Sequence, residues 1–502
     1  MADVGTTYKK LVRFLGSRLF FGFSLIAFTA QACWIAISSR YPMAFDEAYH
    51  LGLIKLHAKQ LSPIFTHQPP GPAVYGALTR DPSYLYHWLM SFPYRFVSNL
   101  TPSFTLQIVT LRLINVALFL CGIVLFKLVL DKTKASRAFI NLALLFFSLT
   151  PVVSLLAAHI NYDNLLVPCV AGSLLLTLRL REVLLTKQTI STRAGLGLIG
   201  LVCLSAEVTY PFLPIMAGCL VYISYLFITY RPNRRGSLIK NTWRDWSKVS
   251  KLQKVALVGL AVVGVGLFSY TYGINVITYH NPIPQCGQVL GQARCQAYGP
   301  WARNYRAAHH IANSPNLGYF IVNWLAGMFE RLFFVINGST GPAVYQNYLA
   351  PIMAGVAALG GGIGLGVYLK HLKQNLASDR ALGALLFVGL VYILALFGRN
   401  YHDYVQLGEM VAINGRYLVP IILPFYLAAA IGWRQLLTGR TMKLKLSLLL
   451  ASCLLCLQGG GITSYIAYSN QYWYWPHEPW IISTNQRLHD LEKPFIWAPK
   501  IR

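Results

Sequence analysis

Residues 107–129 read QIVTLRLINVALFLCGIVLFKLV, a run that is apolar almost throughout and carries one basic residue near each end, Arg112 and Lys127. About 20 helical residues at about 1.5 Å rise cross a hydrocarbon core of about 30 Å, so this segment predicts a membrane span. Comparable runs lie outward from it on both sides, at roughly 19–38, 138–158, 161–180, 194–208, 210–229, 255–275, 349–369, 381–398, 415–437 and 444–466. Of the 502 residues, 55% are hydrophobic and 12% charged, a balance that a water-soluble domain could not keep without exposing large apolar patches. The expected fold is therefore an all-α polytopic membrane protein, one transmembrane domain over 1–502 with about 11 transmembrane helices. The run 19–38 reads as a first span and not a cleaved signal, being longer than a signal core.

A net charge of +27 raises the question of nucleic acid, but the position of the charge decides between partners. Residues 1–18, 127–137, 179–193, 230–254, 370–380 and 434–445 hold 27 of the 43 Lys and Arg. Under the alternation of spans these loops share one side, the positive-inside pattern. The stretch Arg231, Arg234, Arg235, Lys240, Arg244, Lys248, Lys251, Lys254 then reads as a cytosolic loop near anionic lipid, and nucleic acid is set aside. The N-terminus falls inside and the C-terminus outside. Segment 317–336 is long enough to cross but carries Glu330 and Arg331, and counting it as a span would put 370–380 on the wrong side. It is taken as an interfacial or re-entrant helix.

The opposite face carries the longer loops: 39–106, 274–348, a polar turn at 399–414 and an aromatic tail at 467–502. Eleven of the sixteen acidic residues lie on or near it, including Asp46, Glu47, Asp81, Asp163, Glu207, Asp403 and Glu409. Acidic residues close to membrane depth are costly unless they find partners or a wet cavity, so an outward polar cavity is expected. Seven of the nine cysteines sit in predicted spans as small apolar residues. Cys286 and Cys295 share the second outer loop, where an oxidising compartment permits a disulfide; free thiols are the alternative.

In the first loop, FDEAYHLGLIKLHAK predicts an amphipathic surface helix with Leu51, Ile54, Ala58 and Leu61 at helical spacing. Asp46, His50 and His57 share a neighbouring stripe; Asp46 reads either as the helix cap or as a functional carboxylate, and the three together as a weaker metal set. A Tyr- and Trp-rich second helix follows in DPSYLYHWLMSFPYRF, either membrane-surface or substrate-lining. HINYDNLL places Asp163 at the mouth of a span. Arg112 and Arg416 enter spans at their outer ends, where the charge rule gives them no reason to be. Each reads either as pairing with Asp163, Glu207 or Glu409, or as binding phosphate through a planar fork of donors. The sequence has no Walker A element, nucleophile elbow or HExxH, and GGGIGLG at 360–366 lies in an apolar span as a helix-packing face.

FDEAYHLG followed by HQPP, carried by Phe45, Asp46, Glu47, His50, His67, Gln68, Pro69 and Pro70, resembles the first-loop signature of protein O-mannosyltransferases. DPSYLYHWLMSFPYRF and LRLINVALFL are similar to the second surface helix and second span of the wider GT-C superfamily of lipid-dependent glycosyltransferases, which includes the lipid A aminoarabinose transferases. HINYDNLL matches the place of its second acidic residue, and NGRYLVPIILP resembles a Gly-Arg-Tyr element of a bacterial branch. The likeness covers about the first 230 residues and 414–424; Gln68 and Glu207 depart from the pattern.

The resemblance implies a GT-C-like fold and sugar transfer from a polyprenyl-phosphate donor to an acceptor in a cavity at the non-cytoplasmic face. Asp46, with Glu47 next, would be the base. Arg416 and Arg112 would hold the leaving phosphate, with His50, His67, Asp163 and Tyr417 binding substrate; a divalent metal ion, if one takes part, falls to Asp46 and Asp163. The expected partners are that donor and the lipid bilayer, and the expected place a bacterial inner membrane before the endoplasmic reticulum. A transporter or flippase of a lipid-linked sugar is the alternative. It requires charges at several depths and a repeat, and neither is evident in the sequence.

Overall fold

The computed structural model of the chain describes residues 4–43, 46–229, 235–309, 315–333, 349–459, 463, 465–466 and 473–494. Phe45, Arg231, Arg234, the end of segment 317–336 and much of the tail lie outside the described residues. Helices α1 (Val4–Leu15) and α2 (Arg18–Ser38) lead into the first loop, which holds α3 (Glu47–His57) and α4 (Leu85–Leu100). Next come α5 (Phe104–Leu130), α6 (Arg137–Leu149), α7 (Pro151–Ala157), α8 (Asp163–Lys187), α9 (Thr192–Val208), α10 (Leu213–Thr229), α11 (Arg235–Ser247) and α12 (Lys251–Phe268). The second long loop contains α13 (Ile274–Tyr279), α14 (Cys286–Leu290), α15 (Gln292–Cys295), α16 (Gly299–Ala308) and α17 (Leu317–Phe333). The remaining helices are α18 (Leu349–Lys370), α19 (Leu372–Ser378), α20 (Arg380–Leu407), α21 (Leu423–Leu436), α22 (Met442–Gly459) and α23 (Pro479–Glu492). Among the described residues there is no strand, only a bridge between Ser39 and Tyr474.

Among the described residues, six stretches are long and apolar enough to cross a membrane: α2, α5, α8, Tyr210–Thr229, Lys251–Tyr279 and α20. The pair α6 and α7 makes a seventh if its 70° bend falls within one span. Thr150 sits in the bend with extended backbone, the conformation that Pro151 favours in the residue before it. The chain is thus an α-helical multi-pass membrane protein, with large apolar side chains such as Ile26, Val262 and Leu450 facing outward where lipid would cover them. Two other expected spans form short helices. The run 194–208 becomes α9, with 17 residues, and 415–437 breaks around Pro420 into a 3₁₀ turn, Gly415–Leu418, and the 14-residue α21. Residues 317–333 form α17, which among the described residues is not one of the long apolar helices.

Side-chain caps start several spans. Ser17, Ser191 and Ser250 accept from the backbone amides three residues on, and the Asp379 carboxylate accepts from Ala381 and Leu382. The GGGIGLG segment packs as expected: a Cβ on Gly432 would stand 1.8 Å from the Gly364 carbonyl, so only glycine lets α18 and α21 approach this closely.

Two ends of the bundle can be told apart by contacts. At one, Lys132 pairs with Glu182 at 2.8 Å, the Lys134 amide donates to Asp379, and Asn141 donates to Leu15 at the end of α1. These belong to the basic loops. At the other, the Arg40 amide donates to Trp473, Trp475 Nε1 to Ile37, and the Ala73 amide to Arg294. The first loop, the second loop and the tail therefore meet at one end, hereafter the loop end.

Candidate active site

The α3 helix is less a surface helix than a wedge. Glu47, His50, Leu51, Leu53, Ile54 and His57 are all buried, and the helix stops at His57, which leaves Leu61 exposed and outside the expected apolar stripe. The α4 helix does present an apolar outer stripe of Leu89, Phe92, Phe96 and Leu100, as a membrane-surface helix should.

Glu47 and Arg112 form a bidentate pair, Nε to Oε1 and Nη2 to Oε2, both at 2.7 Å, with neither side chain exposed. The other donors of Arg112 reach the Ala36, Ser39 and Arg40 carbonyls, so all five N–H groups are occupied. Glu47 also accepts from the Met43 and Ile160 amides. Burial pushes its carboxyl up, but the charge and hydrogen bonds of Arg112, with His159 and the Met43 amide, outweigh that and hold it below the usual range. These two residues therefore tie α2, α3, α5 and the α7–α8 turn together. The expected roles of Glu47 as a base and Arg112 as a phosphate ligand do not fit: neither has a lone pair or donor left to offer, and the partner of Arg112 is Glu47, not Asp163, Glu207 or Glu409.

Asp46 behaves differently from its neighbour. It occupies the cap position of α3 but in the left-handed region, φ 62°, and its side chain caps nothing. Instead, 67% of the side chain is exposed and Oδ2 accepts from Arg416 Nη2 at 3.1 Å. The capping reading is set aside by this geometry. Arg416 is almost buried, reaches the Tyr417 hydroxyl at 3.4 Å and stacks its guanidinium over the Tyr417 ring at 5.1 Å. Asp163 is buried at the first turn of α8, within electrostatic reach of both Arg416 and Asp46. It does not cap either: Tyr162 stands at the cap position of α8 with no side-chain cap bond, and the Asn161 side-chain Oδ1 accepts from the Asp163 amide at 2.8 Å. Residues far apart in the chain, 46, 163 and 416–417, thus meet at the loop end.

The Arg416 turn is braced from behind. Arg331 of α17 donates to the Ile413 carbonyl, and a Cβ on Gly415 would lie 2.4 Å from the Met328 carbonyl. Glycine at 415 is what lets the turn sit against α17.

His50 lies beneath the site with its ring edge on Tyr162 at 4.8 Å. Its Nδ1 is 2.9 Å from His87 Nε2, and His87 Nδ1 is 3.0 Å from the Ser83 carbonyl. The carbonyl only accepts, so His87 donates from Nδ1, accepts at Nε2, and His50 is left with an unprotonated Nε2. Burial, then the charge of Arg416, pushes His50 down to about 3; burial and Arg95 push His57 down to about 4. His57 stacks 6.5 Å from His87. The expected Asp46, His50 and His57 stripe is therefore split, with two buried imidazoles below and an exposed carboxylate above. Among the described residues no group of three His, Cys, Asp or Glu is placed to hold a metal ion.

His67 is exposed, 3.0 Å from the Thr66 hydroxyl, and no described contact carries it to Asp46, Asp163 or Arg416. Cys286 and Cys295 are joined as a disulfide, and their loop packs on Ala73, with Arg294 donating to the Pro69 and Gly71 carbonyls. His87, Tyr162 and Asn164 complete the site but escaped the sequence reading. Asn164 donates to Asn115 and to the Leu156 and His159 carbonyls, which fixes the turn ahead of Asp163. Only the local run YLYHW hinted at His87, because its pairing with His50 joins separate helices. Comparison with protein-family models, curated proteins and solved structures gives no match.

Proposed function

We propose that this chain is a membrane glycosyltransferase of GT-C type, moving a sugar from a polyprenyl-phosphate donor to an acceptor at the non-cytoplasmic face, in a bacterial inner membrane. The reading is carried by one observation: an exposed carboxylate, Asp46, is joined to the nearly buried Arg416 at the loop end, with Asp163 beside them. The chemistry needs a base for the acceptor hydroxyl and a cation for the leaving phosphate. A phosphate oxygen competing for Arg416 would release Asp46 to take the acceptor proton, as the sugar's C1–O bond to phosphate breaks and the acceptor oxygen bonds to C1. Asp163 orients the acceptor, and Tyr417 and His50 support the guanidinium and the floor of the site. Asp46 and Asp163 are two carboxylates near one guanidinium, and among the described residues no third His, Cys, Asp or Glu joins them as a metal ligand.

The test is sugar transfer by the purified protein in nanodiscs, using a polyprenyl-phosphate sugar. Arg416→Lys keeps the charge and loses the fork. Losing a charge-assisted hydrogen bond of about 1.5–3 kcal/mol should raise the donor KM about 10–100-fold with the fold intact. An unchanged KM would detach Arg416 from the donor.

A further inference from the structure

The second long loop carries acid–base charge of one sign only. Residues 274–329 contain Arg294, Arg303 and Arg306 and no Lys, Asp or Glu. All three arginines are exposed, and none takes part in an ion pair among the described residues. At the loop end the positive-inside rule gives them no reason to be, as with Arg112 and Arg416. Those two meet carboxylates; these three do not.

The α16 helix is anchored to both halves of the Asp46 site. Tyr298, at its cap position, stacks on the Tyr49 ring at 6.2 Å, and Tyr49 lies in the first turn of α3, just past Asp46. A Cβ on Gly76 would stand 3.2 Å from the Tyr298 ring, so glycine there lets the ring seat on the first loop. At the other end of α16, Ala307 packs with Leu407 and Val411, in the stretch that leads to Arg416. Arg303 and Arg306 share a face of the helix between these anchors. The Tyr305 hydroxyl donates to Gln292 at 3.2 Å, which ties α16 to α15 and Arg294. Arg306 spends only Nε, on the Ala302 carbonyl, and Arg303 spends Nε and Nη2 on the neighbouring Asn304, so both keep donors to offer.

What surrounds the arginines narrows what they would bind. Between residues 280 and 309 no large apolar side chain is exposed, unlike the Leu89, Phe92, Phe96 and Leu100 stripe of α4, so the lobe offers nothing to acyl chains. On another face of α16, Trp301, Tyr305 and His309 follow at four-residue spacing, with ring centroids 4.9 and 4.3 Å apart. Aromatic rings with polar tips suit the C–H faces and hydroxyls of a sugar, and guanidinium forks suit carboxylate or phosphate oxygens. We propose that α15 and α16 form the docking surface for the acceptor, and that this acceptor is a water-soluble acidic glycan whose anionic groups rest on Arg303 and Arg306. The assignment rests on the glycosyltransferase reading and adds the acceptor's class to it.

Binding is measured on full-length protein in nanodiscs of neutral lipid, without donor, by isothermal titration with oligogalacturonate and with a maltooligosaccharide of matched length. Oligogalacturonate should bind about tenfold or more tightly than the neutral chain, and lose about tenfold or more in Arg303→Gln/Arg306→Gln and on adding salt. Both positions are exposed, so the melting temperature should hold. Lys187→Gln/Arg193→Gln, which removes as much charge from exposed positions at the basic end, should bind as the wild type does. No binding of oligogalacturonate, equal affinity for the neutral chain, or unchanged affinity in Arg303→Gln/Arg306→Gln would each overturn the assignment. So would capture of phosphatidylglycerol vesicles through these arginines in place of the glycan. Sugar transfer to acidic and neutral acceptors with equal KM would overturn the acceptor class and leave the transferase reading standing. Absence of transfer, with the acidic glycan still bound through the two arginines, would overturn the transferase reading and leave the glycan surface.

Discussion

Glu47 is sealed against Arg112 with both oxygens accepting, while Asp46 beside it keeps most of its side chain exposed. Successive residues at a helix start point about 100° apart, so an Asp-Glu pair read as one unit in the sequence divides into one buried and one open carboxylate. The sequence could flag the pair but could not tell which member faces inward, because the partner, Arg112, is 65 residues away. Glu47→Gln should cost about 3–5 kcal/mol by stranding a buried guanidinium, seen as a lower melting temperature whatever the activity. The sign of the pH dependence follows. The folded Glu47 carboxyl lies below its ordinary value, so its contribution is present above about pH 4.3 and is lost as pH falls through the folded value. His50 and His57 act at higher pH. Their folded values of about 3 and about 4 lie below the ordinary value of about 6.5, so the unfolded chain takes up protons first. Stability should fall below about pH 6.5, approaching about 1.4 kcal/mol per pH unit for each ring, and a His50→Gln/His57→Gln double variant melted at pH 5 and 7 should show a shallower slope.

Among the elements, α17 shows why a helix that sequence placed at the interface matters to the site. It carries Glu330 and Arg331, charges that argue against a span, and Arg331 holds the Ile413 carbonyl just ahead of Arg416. The spacing of apolar residues made the helix legible; its partner did not appear, since the 3₁₀ turn around Arg416 arises where Pro420 interrupts a run that reads as one continuous span. Gly415→Ala tests the brace. A Cβ there would meet the Met328 carbonyl and the Leu332 amide nitrogen at 2.4 and 2.6 Å, backbone atoms that cannot rotate away. The turn must shift, so donor affinity should fall about tenfold or more with the overall fold retained, as measured by KM and melting temperature.

For the whole molecule, the composition and the apolar runs were sufficient to read an α-helical membrane protein. The positions of the polar loops were sufficient to gather the first loop, the second loop and the tail at one end. The number of crossings was less legible, because α9 and α21 are short: α9 stops at Val208, one residue past Glu207, and α21 starts at Leu423 with Pro424 in its first turn. A reporter fused after residue 240 should be cytosolic, and fusions after 300 and at 480 should both be outside; fusions after 300 and at 480 on opposite sides would break the alternation of spans. The most direct test of the account is the rate of sugar transfer by Asp46→Asn in nanodiscs, with folding followed separately by melting. Asn keeps the shape and removes the proton acceptor, and Asp46 caps no amide whose loss could confuse the result. The account predicts an intact fold and a rate reduced about 10²–10⁴-fold. A well-folded Asp46→Asn that transfers sugar at the wild-type rate would contradict it.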